Sequence, residues 1–196
     1  MVHVRLETLE KYAKENNVPI MQKDGIEFLC DYIKKNNIKN ILEIGSAIGY
    51  SSIKMALVDK SIKITTIERD YDRYNIALEN INKFELNNQI TIILDDAFNV
   101  SLNDKYDLIF IDAAKAQYIK FFEKFEKNLN INGTIISDNL SFHGLVEDET
   151  KTNNRNTKQL VRKIKKYIEY LKNNENYDTS FYSIGDGIAI SIKKRD

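Results

Sequence analysis

Short apolar runs rich in isoleucine and valine alternate along this chain with longer stretches of helical period. This alternation is typical of parallel strands that are connected by crossover helices. We predict helices at 5–16, 23–36, 50–58, 71–86 and 115–129, and strands at 40–45, 62–67, 90–94, 106–111 and 133–137. The pattern indicates an α/β fold with a Rossmann-like, doubly wound and mostly parallel sheet.

The pattern changes after Asn139. Beyond it we predict an irregular segment at 140–153, a long basic helix at 155–173 and strands at 177–183 and 188–193. The tripeptide Gly185-Asp186-Gly187 separates the last two strands and tolerates the positive φ that a tight turn requires, so we expect them to pair antiparallel. The predicted sheet then has seven strands with a C-terminal antiparallel strand, and the length fits a single domain at 1–196.

Composition excludes several classes of protein. The 29 basic and 29 acidic residues cancel, so net charge does not indicate a general polyanion binder. The single cysteine, Cys30, cannot form an intramolecular disulfide or a cysteine-rich zinc site. The N-terminal residues lack the apolar core of a signal peptide, and no apolar run approaches the roughly 20 residues that span a bilayer. We therefore expect a cytoplasmic protein that does not contact membranes.

The first predicted strand runs into a turn that contains Gly45 and Gly49, and a helix follows. Glycines let the backbone turn sharply and approach a ligand, and a helix N-terminus presents unpaired N–H groups to a carboxylate. The spacing Gly-x-x-x-Gly differs from the Gly-x-Gly-x-x-Gly of dinucleotide sites, which disfavours an NAD enzyme. Glu68 ends the second strand, where such folds place an acid on the ribose hydroxyls of an adenosine.

Further polar residues converge on the same edge of the sheet. Asp96 and Ala97 follow the third strand and lie within reach of an adenine ring at that edge. Glu43 lies inside an apolar strand, where a carboxylate is costly to bury alone, and a cationic ligand such as a sulfonium amino acid is one possible partner. The alternative for Glu68 is a solvated acid at a strand end. Together these residues favour a nucleoside cofactor.

The fourth and fifth strands end in Asp112 and in Asp138-Asn139, and both ends should face the cofactor. Two carboxylates and an amide carbonyl form an all-oxygen ligand set that suits Mg²⁺, Mn²⁺ or Ca²⁺ better than zinc. The alternative is that these residues merely cap helices and turns. Lys115, one helical turn beyond Asp112, is a candidate to accept a proton or stabilise an oxyanion, and is equally plausible as an exposed helix residue.

These motifs resemble those of the cation-dependent O-methyltransferases of the caffeoyl-CoA and catechol type over nearly the whole chain. The strings that carry the resemblance are Glu43-Ile-Gly45, Gly49-Tyr50-Ser51, Asp112-Ala-Ala-Lys115 and Asp138-Asn139. Within that family the chain is most similar to the bacterial tRNA 5-hydroxyuridine methyltransferases, through Val18-Pro-Ile-Met21, Ile67-Glu68-Arg69 and Ile184-Gly-Asp-Gly187.

The resemblance implies S-adenosylmethionine and Mg²⁺ as cofactors, and a homodimer. It implies that the S-adenosylmethionine contacts include Met21, Glu43, Gly45, Ser46, Ser51, Glu68 and Ala97, to which the strand ends add Asp96 and Asp112. It likewise implies metal ligation by Asp112, Asp138 and Asn139. Asp112 and Lys115 are our candidates for catalytic residues.

The predicted helix at 155–173 forms a local basic patch on a neutral chain. The cations that we expect to contact RNA phosphates are Arg155, Lys158, Arg162, Lys163 and Lys166. Tyr118, Phe142 or His143 would stack on an unpaired base of an anticodon loop. We therefore expect methylation of wobble 5-hydroxyuridine in tRNA, giving 5-methoxyuridine.

Two alternatives stay open at the level of sequence. One is an O-methyltransferase for a small catechol or phenol, in which case the basic residues form an ordinary solvated helix face. The other is a nucleotide-binding module without turnover, which would tolerate substitution of Asp138.

Overall fold

The computed structural model describes residues 2–195 of the chain. Contacts fall into two compact units, one that ends at Ser101 and one that begins at Leu102. In each unit helices and strands follow one another along the chain, as the alternation of apolar patterns predicts. None of the described helices is long and apolar enough to cross a membrane.

The first unit joins a parallel set of strands through helices. Its helices are α1 (Val2–Glu15), α2 (Lys23–Lys35), α3 (Tyr50–Ala56) and α4 (Tyr71–Lys83), and its strands are β1 (Asn40–Ile44), β2 (Lys63–Glu68) and β3 (Ile90–Leu94). Strand β2 pairs in parallel with β1 on one side and β3 on the other. Because parallel strands end at the same edge, the polar residues that follow them meet there.

The second unit mixes parallel and antiparallel pairing. Its helices are α5 (Tyr118–Phe125) and α6 (Arg155–Lys172), and its strands are β4 (Tyr106–Ile111), β5 (Leu129–Ser137), β6 (Tyr177–Tyr182) and β7 (Ile188–Lys193). Strands β4 and β5 are parallel, whereas β7 is antiparallel to both β5 and β6. The predicted C-terminal antiparallel pair is thereby confirmed.

Helix α6 shows how sequence, capping and burial agree. The side chain of Asn154 caps its first turn by accepting hydrogen bonds from the backbone N–H groups of Asn156 and Thr157. One face of the helix is buried, and its members are Val161, Ile164, Tyr167 and Leu171. Burial of this apolar stripe stabilises the helix and leaves its basic residues on the outside.

The ring of Tyr167 anchors α6 to the rest of the second unit. It lies edge-on against the ring of Tyr118, with the ring centroids 5.2 Å apart. Its hydroxyl shares a hydrogen bond of 2.6 Å with the hydroxyl of Ser137 at the end of β5. Both tyrosines are almost completely buried. Their packing fixes the end of β5, which Asp138 and Asn139 directly follow.

The predicted helix at 115–129 and strand at 133–137 have wrong boundaries. The α-helix covers only Tyr118–Phe125, short 3₁₀ turns at Lys115–Gln117 and Glu126–Asn128 flank it, and β5 begins at Leu129. In the first part of β5, Leu129 is buried but 71% of Ile131 is accessible, so this part lacks the continuous apolar run from which buried strands are predicted. Asn132, with φ of 61°, adds an irregularity that the apolar pattern does not show.

Candidate active site

The turn between β1 and α3 has an unusual backbone. Gly45 and Gly49 have φ of 95° and 82°, and Ala47 between them has φ of 45°. A Cβ atom on Gly49 would lie 3.4 Å from the Cβ of Ala77, which is ordinary contact, so it is the left-handed backbone that favours glycine there. The predicted glycine turn is therefore present, and its backbone folds back on itself through a hydrogen bond from Gly49 N to Ser46 O.

Glu43 is completely buried in β1, and the protein itself supplies its partners. The hydroxyls of Ser51 and Ser52 donate to the two carboxylate oxygens, and Thr66 Oγ1 donates at 2.6 Å. Thr66 lies beside Glu43 in the parallel register of β1 and β2. A cationic ligand is therefore not needed to explain the burial of Glu43, and the structure corrects that step of the sequence argument. Contact between Glu43 and S-adenosylmethionine stays a prediction.

Glu68 holds the glycine turn against the end of β2. Its Oε2 accepts a hydrogen bond of 2.8 Å from Ala47 N, and its Oε1 accepts from the N–H groups of Arg69 and Asp70 at 2.9 Å. Only 7% of the residue is exposed, so Glu68 is not the freely solvated acid of the alternative interpretation. Each carboxylate oxygen keeps further lone-pair capacity for a ligand hydroxyl.

Four further predicted cofactor residues are Met21, Ser46, Asp96 and Ala97. The hydroxyl of Ser46 is buried and has no hydrogen-bond partner among the described residues. Ala97 and Met21 are buried as well, while Asp96 is partly exposed and accepts a hydrogen bond of 2.9 Å from Phe98 N. An unpaired buried hydroxyl is costly in the absence of a ligand, so the turn fits a polar group such as the amino-acid part of S-adenosylmethionine.

A second cluster lies at the ends of β4 and β5. Asn139 Nδ2 donates a hydrogen bond of 2.9 Å to Asp138 Oδ2 and one of 3.2 Å to Asp112 Oδ1. Asp138 is only 2% exposed, and its Oδ1 has no hydrogen-bond partner among the described residues. The three predicted metal ligands are therefore brought together, since two neighbouring parallel strands end at the same edge.

The electrostatics of this cluster favour a cation. Burial and the charge of Asp112 raise the pKa of Asp138 to about 7. Burial also raises the pKa of Asp112, although the charge of Lys115 opposes this shift. Among the described residues no group of three or more His, Cys, Asp or Glu side chains could hold a metal, so the candidate set has two carboxylates and one amide. Such a set suits Mg²⁺, which keeps several waters.

Without metal, the protein should lose folding stability as the pH rises from about 4 to about 7. The raised pKa of Asp138 means that the folded chain holds a proton that the unfolded chain has released, and deprotonating the folded chain then costs free energy. Asp138→Asn should reduce this loss by about 2 kcal/mol. Urea unfolding in EDTA at pH 5 and pH 8 measures it, with Asp178→Asn as a control because Asp178 is exposed. An equal pH dependence in wild type and Asp138→Asn would refute this explanation.

Lys115 and Tyr118 lie near the carboxylates of the cluster and make different contacts. Lys115 Nζ lies 5.6 Å from the ring centroid of Phe142, so this cation rests over an aromatic face rather than free in solvent. Tyr118 donates a hydrogen bond of 3.0 Å to the backbone oxygen of Asp138 and is buried. The prediction that Tyr118 could stack on a base is therefore wrong, because its ring is packed against Tyr167. Phe142 and His143 stay candidates for that role.

Comparison with known proteins decides the family. A family model described as O-methyltransferase matches residues 1–194. The chain belongs to the O-methyltransferase family. The caffeoyl-CoA O-methyltransferase of Populus kitakamiensis is 31% identical over 196 residues, which cover 95% of this chain and 83% of that protein. The flavonoid 3',5'-methyltransferase of Vitis vinifera is 30% identical, with coverage of 92% and 80%.

Solved structures agree with this family. A Staphylococcus aureus protein assigned as a caffeoyl-CoA O-methyltransferase has a crystal structure that matches this O-methyltransferase with a TM-score of 0.91 and 43% identity, over 96% of this chain and 91% of that one. The Bacillus cereus O-methyltransferase in complex with SAH matches with a TM-score of 0.84 at 24% identity, which supports the fold. The predicted fold class, a Rossmann-like sheet of seven strands, is confirmed. A single domain at 1–196 and the roles of individual residues stay predictions.

Proposed function

We propose that this O-methyltransferase transfers a methyl group from S-adenosylmethionine to the 5-hydroxyl of wobble hydroxyuridine in tRNA, with Mg²⁺ as a second cofactor. The observation that carries the proposal is the cluster of Asp112, Asp138 and Asn139, in which two carboxylates converge and one oxygen of the buried Asp138 lacks a partner among the described residues. A hydroxyl group accepts a methyl group more readily when it is ionised. A metal ion held by this cluster would favour the ionised form.

The glycine turn is proposed to hold S-adenosylmethionine. Gly45 and Gly49 allow the ligand to approach the backbone, and the unpaired hydroxyl of Ser46 offers a hydrogen bond to its polar groups. Glu68, which accepts a hydrogen bond from Ala47 N of the turn, would also accept from ribose hydroxyls. Asp96, Ala97 and Met21 would complete the adenosine and methionine contacts, as the resemblance implies.

The second cluster is proposed to hold the metal. Asp112 and Asp138 would supply carboxylate oxygens, and Asn139 would supply its Oδ1 after the amide turns over, because its nitrogen now faces both carboxylates. A bound divalent cation supplies Lewis acidity, which lowers the pKa of a substrate hydroxyl.

Chain residues would then orient and deprotonate the substrate. The ammonium group of Lys115 is held over Phe142, where it would stabilise the negative charge of the substrate oxygen. It would take up the substrate proton only after losing a proton of its own. Holding a methyl donor and an acceptor oxygen in line contributes a large part of the rate of group transfer.

The exposed face of α6 supports an RNA substrate. Arg155, Arg162 and Lys166 recur at helical spacing and are exposed, and Lys163 lies beside them. This stripe lies on the second unit, which also carries the metal cluster. Cations arranged in a row neutralise successive phosphates of a nucleic-acid backbone. We expect the reaction to occur in the cytoplasm and the enzyme to act as a homodimer.

Replacing the stripe by glutamine (Arg155→Gln, Arg162→Gln and Lys166→Gln together) should raise the KM for tRNA by about 10-fold to 100-fold and leave kcat nearly unchanged. Each lost phosphate contact also lowers the slope of log affinity against log salt by about 1. A matched control changes the exposed Lys34 and Lys35 of α2 to glutamine. An unchanged KM and salt slope in the stripe variant would rule out this RNA contact.

The substrate itself is tested by transfer of labelled methyl groups from S-adenosylmethionine. Hydroxyuridine-bearing tRNA and a small catechol are compared, each with Mg²⁺ or with EDTA. Metal-dependent labelling of the tRNA nucleoside is the expected result. Labelling of catechol alone would move the substrate to small phenols, and absence of any labelling would favour the binding module without turnover.

A further inference from the structure

The loop after β5 adopts a strained backbone. Asn139, Phe142 and His143 have φ of 64°, 48° and 59°, and Gly144 follows with φ of 74°. A left-handed conformation costs about 1–2 kcal/mol for most residues other than glycine, and less for asparagine. Three such residues within five positions persist only if neighbouring groups hold them. We call residues 139–144 the strained loop.

The turn between β6 and β7 provides that hold. The backbone oxygen of Asp186 accepts a hydrogen bond of 2.7 Å from Ser141 N, and the oxygen of Gly187 accepts one of 3.0 Å from Leu140 N. A Cβ atom on Gly187 would lie only 2.7 Å from Ser141 N. The two segments therefore approach as closely as a glycine allows, which is a second reason for Gly187 beyond the turn itself.

The side chain of Asp186 adds the decisive contacts. Its Oδ1 accepts a hydrogen bond of 2.5 Å from His143 N, and its Oδ2 lies 3.6 Å from His143 Nδ1. Only 5% of Asp186 is exposed. A turn aspartate whose only role is to favour the turn usually bonds its own backbone in solvent, whereas this carboxylate is buried and bonds a residue 43 positions away.

The strained loop carries two groups of the candidate active site. Its first residue is Asn139, whose amide joins Asp112 and Asp138. Its Phe142 ring lies under the ammonium group of Lys115. The conformation of the loop therefore determines the position of the Asn139 amide, the third candidate ligand of the cluster, and the position of the Lys115 ammonium group.

We propose that Asp186 is a positioning residue that clamps the strained loop, and thereby holds the Asn139 amide and the Phe142 ring in place for metal binding and catalysis. The proposal rests on the proposed function, since it names a residue that serves the same site. Asp186 itself contacts neither substrate nor metal in this account. It acts through the backbone of His143 and Ser141.

The test compares Asp186→Ala with Asp186→Asn, which keeps an oxygen acceptor for His143 N. Asp186→Ala should weaken Mn²⁺ binding, measured by electron paramagnetic resonance, about 10-fold to 100-fold, as loss of an outer-shell partner typically does. It should lower kcat and leave the KM for S-adenosylmethionine unchanged, whereas Asp186→Asn should recover most of the loss. Asp178→Ala is the control, because Asp178 is an exposed residue of the same hairpin.

Hydrogen exchange of residues 139–146 without metal separates this proposal from the proposed function. Asp186→Ala, and Gly187→Ala through its steric clash, should both speed exchange there at pH and temperature where the β4 and β5 peptides stay protected. Unchanged exchange, or Mn²⁺ affinity within twofold of wild type in Asp186→Ala, would overturn the clamp. If wild type binds no Mn²⁺, the metal-dependent function fails, and the exchange comparison still decides whether Asp186 clamps the loop.

Discussion

Replacing Asp138 with alanine is expected to lower the rate of methyl transfer by about 10³-fold or more. Asp138 is the most deeply buried of the three candidate ligands, and its Oδ1 points at no other group among the described residues. Its removal leaves one carboxylate and one amide, a set too poor to hold Mg²⁺ against water. The measurement is kcat at saturating S-adenosylmethionine over a range of Mg²⁺ concentrations.

Loss of activity in Asp138→Ala should not result from unfolding. Asp138→Ala removes a buried carboxylate whose pKa is raised, so it should fold at least as well as wild type in EDTA at pH 8, while Mg²⁺ no longer raises its melting temperature. Asp178→Ala should keep wild-type kcat and wild-type stabilisation by Mg²⁺, because its carboxylate is exposed. Activity of Asp138→Ala within tenfold of wild type would show that the cluster does not serve the chemistry.

Replacing Glu43 with alanine should lower the free energy of unfolding by about 3–5 kcal/mol. The change leaves the buried hydroxyls of Ser51, Ser52 and Thr66 without their acceptor, and each unsatisfied buried group costs about 1–3 kcal/mol. The glycine turn lies between Glu43 and Ser51 along the chain. Because loss of these hydrogen bonds should loosen the turn, affinity for S-adenosylmethionine should also fall. Urea unfolding and equilibrium binding of S-adenosylhomocysteine measure the two effects.

Two further variants isolate the role of the carboxylate in this network. Glu43→Gln keeps one oxygen acceptor and should lose less stability than Glu43→Ala. Glu79→Ala removes an acid of the same unit that is exposed and pairs with Lys83 in a helical turn, and it should change the free energy of unfolding by less than about 0.5 kcal/mol. Glu43→Ala with wild-type stability would mean that the three hydroxyls find other partners.

The sequence predicted most of the fold because local patterns and packing agree in this chain. The predicted strand 106–111 and the central parts of the other elements are confirmed. The convergence of Asp112 with Asp138 and Asn139 was also predictable, since residues that follow neighbouring parallel strands share an edge of the sheet. Errors concentrate at 115–133, where Ile131 and Asn132 of β5 are exposed and the first residues of the strand form no continuous apolar run.

Contacts between distant segments could not be predicted in the same way. The partners of Glu43 come from α3 and β2, and hydroxyl groups occur so widely in sequences that nothing marks Ser51, Ser52 and Thr66 as a set. Asp186 was predicted only as part of a tight turn, because its bond to His143 depends on the packing of two segments that are 43 positions apart. Residues in a strained backbone conformation likewise give no periodic signal.

The most direct test of the central claim is a crystal structure with Mn²⁺ and S-adenosylhomocysteine, in which anomalous scattering locates the metal. We expect one peak within bonding distance of Asp112, Asp138 and the Oδ1 of a turned Asn139 amide, with the cofactor product bound along the turn at 45–49. A structure that binds S-adenosylhomocysteine but shows no anomalous peak at these residues, with Asn139 Nδ2 still bonded to both carboxylates, would contradict it.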